Sequence, residues 1–165
     1  MSVAERLERY RLRLFGYAFS LTGDREEADD LFQECALRAL TAKSVPDNER
    51  ACRAWLFRVL RNAWIDRTRR RRTAGAVLYD EETGEAEESA QWDFDRSLID
   101  TLAIQQAMQK LSIPYREIIS LVDLAGFSYA EVAELLEIPT GTVMSRLSRA
   151  RKALLSEITS AQPSK

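Results

Sequence analysis

Residues 128–154, SYAEVAELLEIPTGTVMSRLSRARKAL, decide the fold of the second half of this chain. Ser128 and Glu131 form an S-x-x-E capping box, which starts a short helix over about Tyr129–Leu136. Glu137-Ile138-Pro139 reads as a turn, and Thr140 is a candidate cap for a last helix over about Gly141–Glu157. A short helix, a tight turn and a longer basic helix are the helix-turn-helix arrangement. Ala133, Ile138 and Val143 recur at intervals suited to it: a small residue for close approach, an apolar residue in the turn, and one that locks the second helix. Glu137 occupies the turn position where glycine in a left-handed conformation is common, so modest strain or a variant turn is expected. On the last helix Val143, Leu147, Ala150 and Leu154 face inward. Thr140, Thr142, Ser145, Arg146 and Arg149 then fall at its exposed start and flank, where a recognition helix reads base edges. Arg151 and Lys152 suit phosphate.

Working outward, Leu98, Leu102, Met108 and Leu111 keep helical spacing. Pro114 fits a first helical turn after Ser112-Ile113, and Gly126 can end that helix. Upstream, residues 73–95 hold eight acidic residues and no Lys or Arg. The whole chain has 24 basic and 26 acidic residues, so the remainder carries 24 against 26 − 8 = 18, or +6. The basic excess is clustered in residues 67–72 (RTRRRR) and 146–152 (RLSRARK). Two basic modules with an acidic, poorly ordered linker at 73–97 follow from this pattern.

Residues 3–22 place Leu7, Tyr10, Leu14, Tyr17, Ala18 and Leu21 on one helical stripe, and Gly23 suits its stop. Asp24 and Glu27 open a second helix to about Thr41, with Ala28, Leu31, Phe32, Cys35 and Ala39 near one face. A third helix covers about Asn48–Arg70. At about 100° per residue, Cys52, Leu56, Val59, Leu60 and Ala63 share its core face. Arg58, Arg61, Arg69 and Arg72 lie opposite, and Trp55, Asn62 and Asp66 share a flank. Trp55 by itself reads first as partly buried core. No stretch alternates as a strand. The expected fold is therefore all-α, with two small helical domains, 1–72 and 98–160, joined by the linker and the second carrying the helix-turn-helix.

The 165 residues are 45% apolar and 30% charged, the balance of a soluble globular protein. No apolar run is long enough for a membrane span, and the charged start does not resemble a signal peptide. Histidine is absent, which removes His-based triads and His-containing zinc sites. With no Gly-rich phosphate loop or clustered metal carboxylates either, enzyme, metal and cofactor are not expected. Cys35 and Cys52 are not spaced as a C-x-x-C pair and are expected as buried free thiols.

The chain resembles a sigma factor of the extracytoplasmic-function type, within the sigma-70 family. Asp30–Leu40 (DLFQECALRAL), Ala54–Arg72 (AWLFRVLRNAWIDRTRRRR) and Leu111–Leu154 carry the resemblance, in their order and separation. The resemblance implies a cytoplasmic, non-catalytic subunit that joins core RNA polymerase and gives it promoter specificity. It implies that the first module docks on the β′ clamp helices through Asp29, Asp30, Gln33, Glu34 and Arg38. The minus-ten element would be met by Trp55, Arg58, Arg61, Asn62, Asp66, Arg67, Arg69 and Arg70. The second module would sit on the β flap and read the minus-thirty-five duplex with Thr140, Thr142, Ser145, Arg146 and Arg149. Met144 departs from the pattern, where a basic residue is frequent. For Asp66, pairing with a nearby arginine stands beside a hydrogen bond from a base amino group. A cognate anti-sigma factor is the further partner implied. The alternatives are a sigma-like adaptor that sequesters an anti-sigma factor, and a free-standing helix-turn-helix regulator.

Overall fold

The computed structural model describes residues 1–74 and 96–161. The expected mobility of the acidic linker falls on residues that lie almost entirely outside this range. Seven α-helices occur among the described residues: α1 (Val3–Thr22), α2 (Arg25–Leu40), α3 (Glu49–Thr73), α4 (Arg96–Gln109), α5 (Ile113–Ile119), α6 (Tyr129–Leu136) and α7 (Thr140–Ala161). No strand occurs among them.

The helix starts follow local chemistry. Ser2 and Ser128 close reciprocal capping boxes with Glu5 and Glu131, while Asp24 and Asn48 accept backbone N–H groups at the starts of α2 and α3. Gly23 ends α1 in the left-handed region, φ 71°, and donates its N–H to the Phe19 carbonyl. Thr140 is itself the first helical residue of α7, so it is not the cap that the sequence suggests. The Pro139 carbonyl accepts the Thr142 and Val143 N–H groups instead.

Helices α1, α2 and α3 bury the expected stripes against one another: Leu7, Tyr10, Leu14, Tyr17, Ala18 and Leu21 with Ala28, Leu31, Cys35 and Ala39, and with Cys52, Leu56, Leu60 and Ala63. Both cysteines are buried free thiols, and burial pushes the Cys35 thiol up to about 12. Arg6, also buried, spans from α1 to the Pro46 and Asp47 carbonyls and fastens the loop before α3.

In the second module α7 packs on α4, α5 and α6. Helix α5 does not run on to Gly126 as a regular helix. A π-helical turn over Ser120–Leu124 follows it, closed by Ala125 N–H to Ser120 O at 2.8 Å. Gly126, φ 78°, then reverses the chain.

The two modules are not separate bodies. Helix α1 packs on α5 and on the π-helical turn, and α3 packs on α6. Phe57 is fully buried, although it lies off the expected core face of α3. Its ring stacks on Tyr17 at 5.5 Å and meets the edge of Phe127 of the second module at 4.9 Å between centroids.

Candidate nucleic-acid interface

Helix α3 presents three faces. The first is the core of its own module. The second is the flank expected to meet DNA. Asn62, Arg58, Arg69 and Arg70 are exposed there, while Trp55, Asp66 and Arg67 are half-buried. Trp55 packs against the core at its edge, as an ordinary surface-helix tryptophan does.

Asp66 pairs with an arginine. Arg38 of α2 donates to it at 2.8 Å and to Glu34 at 2.7 Å. This hydrogen bond holds the Asp66 carboxyl below its ordinary range, with Arg70 and Arg69 adding smaller effects. Arg67 lies 3.5 Å from Glu34 and Arg71 lies 3.0 Å from Glu27. Residues expected on a polymerase face, Glu34 and Arg38, are therefore in direct contact with residues expected on a DNA face. Asp29, Asp30 and Gln33 lie exposed on α2 beside them.

The third face of α3 was not legible as a site. Arg50, Arg53, Phe57 and Arg61 fall within about 80° of one another around the helix. All four meet the second module. Arg61 Nε donates to Glu117 at 2.7 Å, and the Tyr17 hydroxyl donates to the same Glu117 oxygen at 2.5 Å. Glu117 is 5% exposed. Arg53 donates to the Ala125 carbonyl and lies 4.1 Å from the Phe127 ring centroid, a cation–π contact. Arg50 pairs with Glu131 at 2.6 Å. From the other side Arg116 donates to the Ser20 carbonyl at 2.8 Å. Arg61, grouped by sequence with the DNA-facing arginines, is thus turned to the second module, because a buried carboxylate there holds its guanidinium. The one available signal was an aromatic, Phe57, between arginines at helical spacing.

On α7, Thr140, Ser145 and Arg149 are exposed, and Thr142 and Arg146 are half-buried. Arg149 Nε reaches the Ser145 carbonyl at 3.3 Å, and the Ser145 hydroxyl donates to Thr142 O at 3.2 Å. Among the described residues no carboxylate pairs with Arg146 or Arg149. Arg151 is paired with Asp123 through bonds of 3.1 and 2.6 Å, so its charge is partly answered within the protein. The turn before α7 carries Glu137 at φ 56°, ψ 46°. It is the one non-glycine residue with positive φ among those described, at the position where strain was expected. Its left-handed backbone ends α6 and lets the Ile138 N–H return to the Ala133 carbonyl at 3.0 Å.

Comparison with known proteins now decides the family. Residues 7–74 match the family model of sigma-70 region 2, and residues 101–154 match that of sigma-70 region 4. The chain is 40% identical over 142 residues to the ECF RNA polymerase sigma factor SigL of Mycobacterium tuberculosis, covering 86% of this chain and 80% of the relative. The chain belongs to the extracytoplasmic-function sigma factors of the sigma-70 family. It is also 30% identical to the ECF sigma factor SigW of Bacillus subtilis, over 94% of this chain and 88% of that one. Sigma factors bind core RNA polymerase and promoter DNA and are initiation factors, not enzymes.

Among solved structures, the chain resembles the sigma factor RpoE of Bartonella quintana in complex with the anti-sigma factor NepR. The TM-score is 0.70 at 27% identity, covering 96% of this chain and 98% of that one. It also resembles CnrH in complex with the cytosolic domain of CnrY, with a TM-score of 0.67 at 26% identity, covering 97% and 89%. No helix among the described residues of this sigma factor is long and apolar enough to cross a membrane.

Proposed function

We propose that this sigma factor divides its work by element, with residues 1–72 and 98–160 as the working domains. The exposed acidic face of α2, Asp29, Asp30 and Gln33 with Glu34 and Arg38 at its edge, docks on the β′ clamp helices. The α3 flank, Trp55, Arg58, Asn62, Asp66, Arg67, Arg69 and Arg70, captures the minus-ten strand, and Arg61 joins it once freed from Glu117. Basic residues hold a backbone there while Asn62 and Asp66 offer polar edges to an unstacked base. The second module sits on the β flap. The start of α7, Thr140, Thr142, Ser145, Arg146 and Arg149, reads the minus-thirty-five duplex in the major groove.

The observation that carries this reading is the exposed start of α7. Its hydroxyls and two arginines are exposed or half-buried, and among the described residues no carboxylate pairs with Arg146 or Arg149. A cytoplasmic location and a cognate anti-sigma factor complete the proposal. The two solved relatives in complex with anti-sigma factors support that partner.

Run-off transcription with purified core polymerase on pooled genomic fragments tests it. Discrete transcripts that need this protein, with two shared upstream elements, are expected. Their absence with folded protein and active core favours an adaptor that sequesters an anti-sigma factor. Within an active system, Asn62→Ala is expected to impair promoter opening more than core binding, and Asp30→Ala the reverse.

A further inference from the structure

We infer that Met144 is a base-reading residue of α7, and that it selects a thymine in the duplex by contact with the C5-methyl group. The inference rests on the duplex-reading role proposed above for the start of α7, and it names a feature of the sequence that this helix takes. Met144 is 53% exposed and is not among the apolar residues packed against the core. At about 100° per residue, Gly141, Met144, Ser145 and Ser148 fall within about 100° of one another around the helix, turned away from Val143, Leu147 and Ala150. All four are exposed, whereas Val143, Leu147 and Ala150 are buried. Arg149 and then Arg146 follow to one side of this face, and Thr140 lies to the other. The outward centre of the reading end is therefore small or apolar, with its two arginines at one margin.

The polar groups beside Met144 are already engaged along the helix. The Ser145 hydroxyl donates to the Thr142 carbonyl at 3.2 Å, and Arg149 Nε donates to the Ser145 carbonyl at 3.3 Å. Gly141 has no reason to be glycine within the fold. A Cβ there would meet nothing within 4 Å, and its φ is not positive. Its missing side chain instead leaves the first turn open to the close approach of another molecule. Helical side chains lean toward the N-terminus, so Met144 covers this same turn. In the major groove the base edges carry hydrogen-bond donors and acceptors, and thymine alone adds a methyl group. A thioether set against a donor or acceptor leaves that group dry and poorly paired, which costs binding energy. Set against the methyl, two apolar groups leave water together. Met144 carries no charge and so adds nothing to phosphate affinity. Its contribution is discrimination, by attraction to thymine and by a penalty on the other bases.

The test uses the full chain joined to core polymerase. This complex selects duplexes from a random pool, and the shared upstream element is read from those it retains. Each thymine of that element is then replaced singly by deoxyuridine, which removes only the methyl group. Relative affinity is measured by competition at fixed salt. With the parent chain, one position is expected to lose about fourfold, as for one buried apolar carbon. With Met144→Ala the loss at that position should vanish, and with Met144→Leu, apolar and of similar size, it should remain. Met144→Lys should bind all duplexes more tightly, with a salt dependence steeper by about one phosphate contact, and should lose the thymine preference. Helix content by circular dichroism should be unchanged in all three variants, because Met144 lies outside the core. Deoxyuridine losses that are the same in the parent and in Met144→Ala, or absent from both, would overturn the assignment and leave the duplex reading intact. Retained duplexes with no shared upstream element would overturn the duplex reading by α7, and this inference with it.

Discussion

Helices α3 and α7 carry the two arginine clusters of the chain, and the protein pairs their members in different places. On α3 part of the set is occupied, Arg61 by Glu117, Arg67 by Glu34 and Arg71 by Glu27, while Arg58, Arg69, Arg70 and Arg72 have no ion pair among the described residues. On α7 Arg146 and Arg149, at the reading end, meet no carboxylate among the described residues, and Arg151 farther along pairs with Asp123. On the proposed division of labour, α7 meets duplex DNA with Arg146 and Arg149 unpaired, whereas Arg61 and Arg67 of α3 exchange protein carboxylates for phosphate. The exchange explains why the same residue type on two helices implies different timing. On that proposal, duplex reading by Arg146 and Arg149 breaks no ion pair among the described residues, while strand capture by Arg61 and Arg67 breaks ion pairs between and within modules.

The sharpest way to break this contrast is to remove the carboxylate that holds Arg61. Glu117→Ala leaves a half-buried guanidinium and the buried Tyr17 hydroxyl without their partner, and a loss of about 3–5 kcal/mol is expected in urea unfolding. A loss within experimental error would mean that the junction opens readily in solution. On the other helix, Arg149→Ala should leave stability unchanged. It should weaken binding to a minus-thirty-five duplex by about 1–3 kcal/mol, measured by fluorescence anisotropy at fixed salt, as a bidentate base contact does. An equal loss on unrelated duplexes would make Arg149 a phosphate contact instead.

Smaller effects sharpen the comparison further. Glu137→Gly relieves the left-handed turn before α7, and thermal unfolding should show a gain of about 1 kcal/mol. Arg38 of α2 holds Asp66 of α3 in its charged form, which depresses the carboxyl's pKa. The sign follows from linkage: the Arg38–Asp66 contribution is complete above the unfolded carboxylate range and is lost as pH falls through the lowered folded value. A carboxyl-carbon NMR titration should place Asp66 below the ordinary range in the parent and back within it in Arg38→Ala.

Much of the fold was legible because it is written in local rules. The stripe Leu7–Tyr10–Leu14–Tyr17, the capping boxes at Ser2 and Ser128, and Gly23 and Gly126 each specify a helix or its end by their own chemistry. The strained turn at Glu137 was legible for the same reason, since a helix-turn-helix needs a left-handed residue there. The π-helical turn at Ser120–Leu124 was not, because its residues suit a regular helix equally well and its packing is against α1 and α6, which local sequence does not show.

The division of α3 into faces shows where sequence alone stops. Counting angles finds the stripe that α1 and α2 cover, because that stripe is apolar. It cannot find the face that α5 and α6 cover, because Arg50, Arg53 and Arg61 look like solvent-facing residues until Glu117, Ala125 and Glu131 stand opposite them. Sequence by itself determined the all-α architecture and the helix-turn-helix, since periodicity and capping are properties of neighbouring residues. Tertiary structure alone decided which arginines are free, since charge pairing between residues 56 apart, as for Arg61 and Glu117, depends on how the two modules meet.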